Sequence, residues 1–265
     1  MLEKNLGKSM KGLVGLTLLF VIILGTQTSV QGELTQGDIY QPEEGSAEVE
    51  KSSGNKKEQA KKKLLKIDKN LPMVLILGDS ISIGYTELVR SSLEGKANVI
   101  HNPGNSQGTT HTLANIDEWL AVQEWDVIHF NLGLHDLKRV KVAGGKQNSN
   151  NPNDPRQADL KTYTTNLEKI VKKLKATEAE LIFATTTPFP SGVKPFRDPL
   201  DVERYNTNAR EIMDKHAVAV NDLCALMAPQ LERLQKPKNV HFKPKGSQAM
   251  AEEVVRSIER ALDKR

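Results

Sequence analysis

Two residues far apart in this chain of 265 residues have the side chains that nucleophilic catalysis requires. Ser80 lies in Gly78-Asp79-Ser80, after an apolar run and before a helix-length stretch. His241 lies in Asn239-Val240-His241-Phe242, just ahead of the last such stretch. A serine hydroxyl becomes a competent nucleophile when a base takes its proton, and a loop histidine is the usual base. Helix N-terminal N–H groups beside Ser80 would also face a developing oxyanion. Capping of the helix by Ser80 or Asp79 is compatible with this role.

Two further loops carry possible oxyanion donors. Residues 102–110 (NPGNSQGTT) contain Gly104 and Gly108, and glycine lets the backbone approach a ligand closely. Residues 131–138 (NLGLHDLK) contain Asn131, whose amide can donate, His135, whose ring N–H can donate, and Asp136 as a supporting carboxylate. The single cysteine, Cys224, has apolar neighbours and reads as a core residue; one cysteine excludes an internal disulfide and a cysteine-ligated metal.

The elements that must position these groups are legible. Met73–Leu77 is a continuous apolar run, as expected of a strand buried on both faces of a parallel sheet. Further strands are predicted at 97–100, 125–130, 181–184 and 217–220, with helices near 81–94, 112–122, 157–176, 200–215 and 245–262. Five alternations of strand and helix predict an α/β fold, a three-layer α/β/α sandwich around a five-stranded parallel sheet. Ligands bind such sheets at the carboxyl ends of their strands, where Ser80, the 102–110 loop and His135 all fall. Residues 142–157, rich in Gly and Asn, read as a flexible rim beside the third of these loops.

Charge divides the chain. Residues 1–32 carry a net +2 and run from a lysine-bearing start through the apolar Leu13–Leu24 to Val30-Gln31-Gly32, the order of a secretory signal peptide. The apolar run is shorter than the roughly 20 residues that span a bilayer. Residues 33–70, an acidic block followed by a lysine block, sum to zero and read as a charged, disordered linker. The remaining 71–265 keep a net +2, so the basic pI of about 9.0 is no argument for nucleic-acid binding. The expected protein is secreted or periplasmic, with no integral membrane domain once the signal is cleaved.

The four blocks, in this order on this sheet, resemble the SGNH (GDSL-like) hydrolase superfamily across 71–265. The resemblance implies a flavodoxin-like fold and a metal-independent serine hydrolase without a cofactor. It implies Ser80 as nucleophile, His241 as base, and an oxyanion hole from the N–H groups of Ser80 and Gly108, with Gly104 as the alternative glycine. Two positions depart from the family pattern. The third block normally reads Gly-x-Asn-Asp, and here His135 replaces the Asn, with Asn131 as the fallback donor. The triad acid normally stands three residues before the histidine, and here that residue is Lys238, which cannot accept the imidazole N–H. The function implied is hydrolysis of a small ester, with O-acetyl groups on carbohydrate favoured. A glycan-binding module that has lost catalysis is the alternative. A metallophosphoesterase is disfavoured because its early Asp-x-His and late Gly-His-x-His are missing.

Overall fold

The computed structural model describes residues 67–265. The expected signal peptide and all of the expected linker except its last four residues lie outside the described residues. Those four belong to the fold. Ile67 packs against the core, and Asp68 is clasped by Asn98, which accepts its N–H at 2.9 Å and donates to its carbonyl at 2.8 Å.

Five strands, β1 (Met73–Leu77), β2 (Asn98–His101), β3 (Val127–Asn131), β4 (Glu180–Ala184) and β5 (Ala219–Asn221), form one parallel sheet in the order β2-β1-β3-β4-β5. Every residue of β2 and β3 is buried, and four of five in β1, which explains the near-continuous apolar runs. Chain order reverses beside β1, so a crevice opens between the carboxyl ends of β1 and β3. The predicted α/β/α architecture is the observed one.

Helix α1 (Ser80–Ser92) packs against the C-terminal helix α7 (Pro244–Leu262) in one layer, and α2 (Thr109–Leu120), α3 (Leu160–Lys175) and α4 (Leu200–Lys215) pack in sequence in the other. Helix α3 shows why these segments are helical. Tyr163, Leu167, Ile170, Val171 and Leu174 recur at helical spacing and are buried. Asp159 caps its start by accepting the Thr162 N–H at 2.8 Å, and Lys172, Lys173 and Lys175 complement the dipole at its end. Each buried side chain of this size contributes about 1.5–3 kcal/mol.

Three expectations change. Strand β5 begins at Ala219 because Ala217 has φ 54° and turns the chain out of α4. Two helices, α5 (Leu223–Met227) and α6 (Leu231–Leu234), were not anticipated, being too short to show a period. The 142–157 rim is tied down instead of free: Lys141 N–H donates to Gln147, Ser149 N–H to Arg139, Gln157 N–H to Lys138 and Phe196 N–H to Ser149, all at 2.8–2.9 Å. Among the described residues, no helix is long and apolar enough to cross a membrane.

Candidate active site

Ser80 is the first residue of α1, directly beyond the carboxyl end of β1. Each residue of Gly78-Asp79-Ser80 has a separate physical reason. Asp79 is the N-cap, its Oδ1 accepting the Ile81 N–H at 2.9 Å and the Asn131 Nδ2–H at 3.0 Å. Burial raises the pKa of this carboxyl, and those two donors oppose the rise. Gly78 is required because Asn131 presses on it: a Cβ there would sit 1.9 Å from Asn131 Oδ1 and 2.6 Å from Ser82 Oγ. Asn131, expected as a fallback oxyanion donor, therefore braces Asp79, since its Nδ2 is engaged behind Ser80.

His241 arrives from the loop before α7. Its Nε2 lies 2.8 Å from Ser80 Oγ, and its Nδ1 lies 2.8 Å from Asn239 Oδ1. The backbone N–H of His241 also donates to Asn239 Oδ1, at 2.9 Å. That N–H fixes the amide orientation, because it needs an acceptor and the amide NH2 offers none. Oxygen therefore faces Nδ1, Nδ1 carries the ring proton, and Nε2 is left to accept the Ser80 hydroxyl proton. The acceptor missing at Lys238 is supplied one residue later by a neutral side chain. Lys238 itself has φ 51° and belongs to the turn that presents Asn239, whose N–H donates to Lys236 at 3.2 Å. Burial, together with the charges of Lys236 and Arg197, holds the His241 pKa below the ordinary imidazole value.

A cleft of about 480 Å³ opens over Ser80 and His241. Its walls include Asn105 from the loop after β2, His135 from the loop after β3, Asn148 from the rim, and Arg197 from the segment before α4. His135 is neutral at working pH: burial pushes its pKa well below the usual range, aided by Lys138 and Arg197, so its ring has one N–H to donate. Gly108, expected in the oxyanion hole, is the N-cap of α2 and not part of the cleft wall. A Cβ there would come within 3.1 Å of Asp136 Oδ1, so the close approach it permits is to that carboxylate. Gly104 has φ 61° with open space around it, and serves the turn. The wall contribution of this loop is Asn105, whose Oδ1 accepts the Gln107 N–H at 2.8 Å and leaves Nδ2 to donate.

Asp136 is fully buried and accepts from Thr109 N–H at 2.9 Å and Thr109 Oγ1–H at 2.6 Å, tying the third loop to the start of α2. Burial pushes its pKa up to about 7. Among the described residues, no group of three or more His, Cys, Asp or Glu is placed to hold a metal ion. Sequence reasoning missed Asn239, Asn105 and Arg197. Asn239 had a signal, since an Asn two residues before another often accepts that residue's N–H in an Asx turn. Arg197 had none, because only the folded chain brings it to the cleft.

The GDSL-like Lipase/Acylhydrolase family model matches residues 76–249, a span that begins in β1 and ends in α7. No curated protein matches. Among solved structures, a lipase/acylhydrolase from Enterococcus faecalis superposes with a TM-score of 0.59 at 19% identity, covering 71% of this chain and 95% of its own. An acetylxylan esterase from Geobacillus stearothermophilus superposes with a TM-score of 0.58 at 17% identity, covering 71% and 94%. A GDSL-like lipase from Bacteroides thetaiotaomicron does so with a TM-score of 0.58 at 15% identity, covering 75% and 93%. At these identities the likeness is one of fold.

Proposed function

Since the chain belongs to the GDSL-like lipase/acylhydrolase family, we propose that it is an exported serine esterase that removes O-acetyl groups from carbohydrate. The observation that carries this reading is the hydrogen-bonded series Ser80 Oγ, His241 Nε2, His241 Nδ1, Asn239 Oδ1 at the floor of an open cleft. The glycan-binding alternative rested on the loss of the triad acid; Asn239 is not an acid, but its Oδ1 gives Nδ1 an acceptor, which supports the esterase reading.

His241 Nε2 takes the hydroxyl proton as Ser80 Oγ attacks the acetyl carbonyl carbon. The carbonyl oxygen becomes an oxyanion, for which the Ser80 N–H, the His135 ring and the Asn105 amide are the donors at hand. As the intermediate collapses, the proton on Nε2 passes to the departing sugar oxygen and an acetyl-serine remains. Water then attacks that ester, again with His241 as base, and acetate leaves. Asn239 holds the ring in the productive tautomer without adding charge. A carbohydrate alcohol is favoured by a wall rich in amide and cationic groups, including Asn105, Asn148 and Lys194, which suit hydroxyls. The acetylxylan esterases among the fold neighbours agree with that reading.

The test is acetate release from acetylated xylan and from 4-nitrophenyl acetate by wild type and Ser80→Ala, with and without EDTA. Turnover by wild type in both conditions, lost on Ser80→Ala, is the expected result. Retention of turnover by Ser80→Ala would reject the nucleophile, and an inactive wild type would reject the esterase.

A further inference from the structure

The residues lining the cleft include three cations, Lys138, Lys194 and Arg197, and no carboxylate. Residues 71–265 carry a net charge of only +2, so the positive charge is concentrated where the substrate must sit. Arg197 is the informative member. Its residue is 6% exposed, yet its guanidinium forms no ion pair among the described residues. Nε donates to the Leu134 carbonyl at 2.8 Å and Nη1 to the Pro195 carbonyl at 3.3 Å.

Those neutral acceptors orient the group without neutralising it. The charge of Asp79 favours the protonated guanidinium, but that carboxylate is buried, forms no ion pair with Arg197 and is already shared between Ile81 and Asn131. Burial lowers the Arg197 pKa to about 10, so the side chain stays charged at neutral pH. A buried, unpaired charge is costly, and such a charge on the wall of a cleft is compensated when a ligand brings the opposite one. Planar guanidinium also suits carboxylate or sulfate oxygens better than hydroxyls. Lys194 stands exposed three residues before it, on the same wall.

We propose that the cleft selects an anionic sugar: the alcohol half of the acetyl ester carries a carboxylate or sulfate that pairs with Arg197, with Lys194 at the entrance. This rests on the esterase reading above and narrows its substrate. Anion pairing would also anchor the sugar in the cleft that Arg197 shares with Ser80 and His241.

The test uses acetylated methyl glucuronoside, the same sugar with its carboxylate converted to carboxamide, and an acetylated glucoside 6-sulfate. At low ionic strength the wild type is expected to show at least a tenfold higher kcat/KM for a charged sugar than for the carboxamide. Salt should narrow that ratio. The carboxylate and sulfate arms identify which anion fits. Arg197→Gln should abolish the ratio; because Arg197 is buried and the variant can misfold, Lys194→Gln is the second variant, expected to lower the ratio several-fold through KM. Equal kcat/KM for the charged and neutral sugars would overturn the proposal while leaving the esterase intact. Binding to Ser80→Ala, measured by calorimetry, separates the two readings further. Tighter binding of a charged sugar supports the anion site even where no turnover occurs, and equal or no binding of all three sugars rejects it.

Discussion

The first turn of α1 carries two serines, each hydrogen-bonded to a histidine at the same distance. Ser80 Oγ lies 2.8 Å from His241 Nε2, and Ser82 Oγ lies 2.8 Å from His101 Nε2. In both pairs the other ring nitrogen faces an oxygen at 2.8 Å, Asn239 Oδ1 in one and the Asn102 carbonyl in the other. Both rings are therefore the same tautomer, and burial depresses both pKa values, that of His101 to about 4. What differs is surroundings. Two residues on a helix turn the side chain about 200° around its axis, so Ser80 faces the cleft and Ser82 faces the sheet, fully buried. Ser82 Oγ also lies 2.8 Å from the Asp79 carbonyl, so its one proton has two acceptors. A Ser–His hydrogen bond alone is thus no sign of a nucleophile; access and a place for the oxyanion decide.

The sharpest way to break that comparison is to remove each hydroxyl. Ser80→Ala should lower kcat/KM on 4-nitrophenyl acetate by at least about 10³-fold. Ser82→Ala should keep activity within a few-fold and cost about 1 kcal/mol in urea unfolding. Comparable losses of activity from both substitutions would mean that the two pairs act as one relay. Next in size is His135, which only the outer pair has nearby. His135→Ala should cost about 10²-fold in kcat with little change in KM if the ring donates to the oxyanion. His135→Asn, restoring the amide usual in this family, should recover most of that loss.

Asn239 tests what backs the outer histidine. Asn239→Ala should slow turnover about 10- to 100-fold, because the ring loses the acceptor that fixes its tautomer. Asn239→Asp keeps the acceptor and adds a negative charge that favours the imidazolium, so the acidic limb of the kcat/KM profile should move to higher pH. In the wild type that limb should lie below the ordinary imidazole range, since burial and nearby Lys236 and Arg197 disfavour the charged ring. A wild-type limb above pH 6.5 would contradict the neutral-acceptor arrangement.

These pairs also show what a sequence does and does not disclose. Ser80 stood out as a candidate because it sits at the end of the first buried strand, and His241, in the loop before the last helix, was singled out by the family resemblance; the structure brings the two within 2.8 Å. The sheet was readable from its apolar runs, as Met73–Leu77 can be apolar throughout, and Val127–Phe130 apolar except for His129, only if both faces are covered. Asn239 was obscured by reliance on spacing, which pointed to Lys238; the local signal was the Asx turn onto His241. Sequence order shows which loops hold Gly108 and Asn131 but not that one lies against the Asp136 carboxylate and the other donates to Asp79. Ser82 and His101 went unnoticed as a pair. They are 19 residues apart, and only the register of β1 with β2 brings them together.

The smallest expected effect concerns the inner pair and stability alone. His101 has a folded-state pKa of about 4 against an ordinary value of 6.5. Above pH 6.5 the ring is neutral in both states and contributes no pH dependence. Between pH 6.5 and 4 the unfolded chain binds a proton that the folded chain refuses, so this group erodes stability as pH falls, by up to about 3 kcal/mol. His129, buried in β3 with its pKa lowered to about 3, acts in the same direction, while Asp136, raised to about 7, binds its proton on folding and opposes them. The wild-type curve is therefore a sum, and the difference between wild type and His101→Gln isolates one group. Urea unfolding from pH 7 to 4.5 should show the variant losing stability less steeply, by about one proton's worth of slope. Parallel curves would mean that His101 takes up its proton inside the folded protein, and the inner pair would then be less secluded than its full burial indicates.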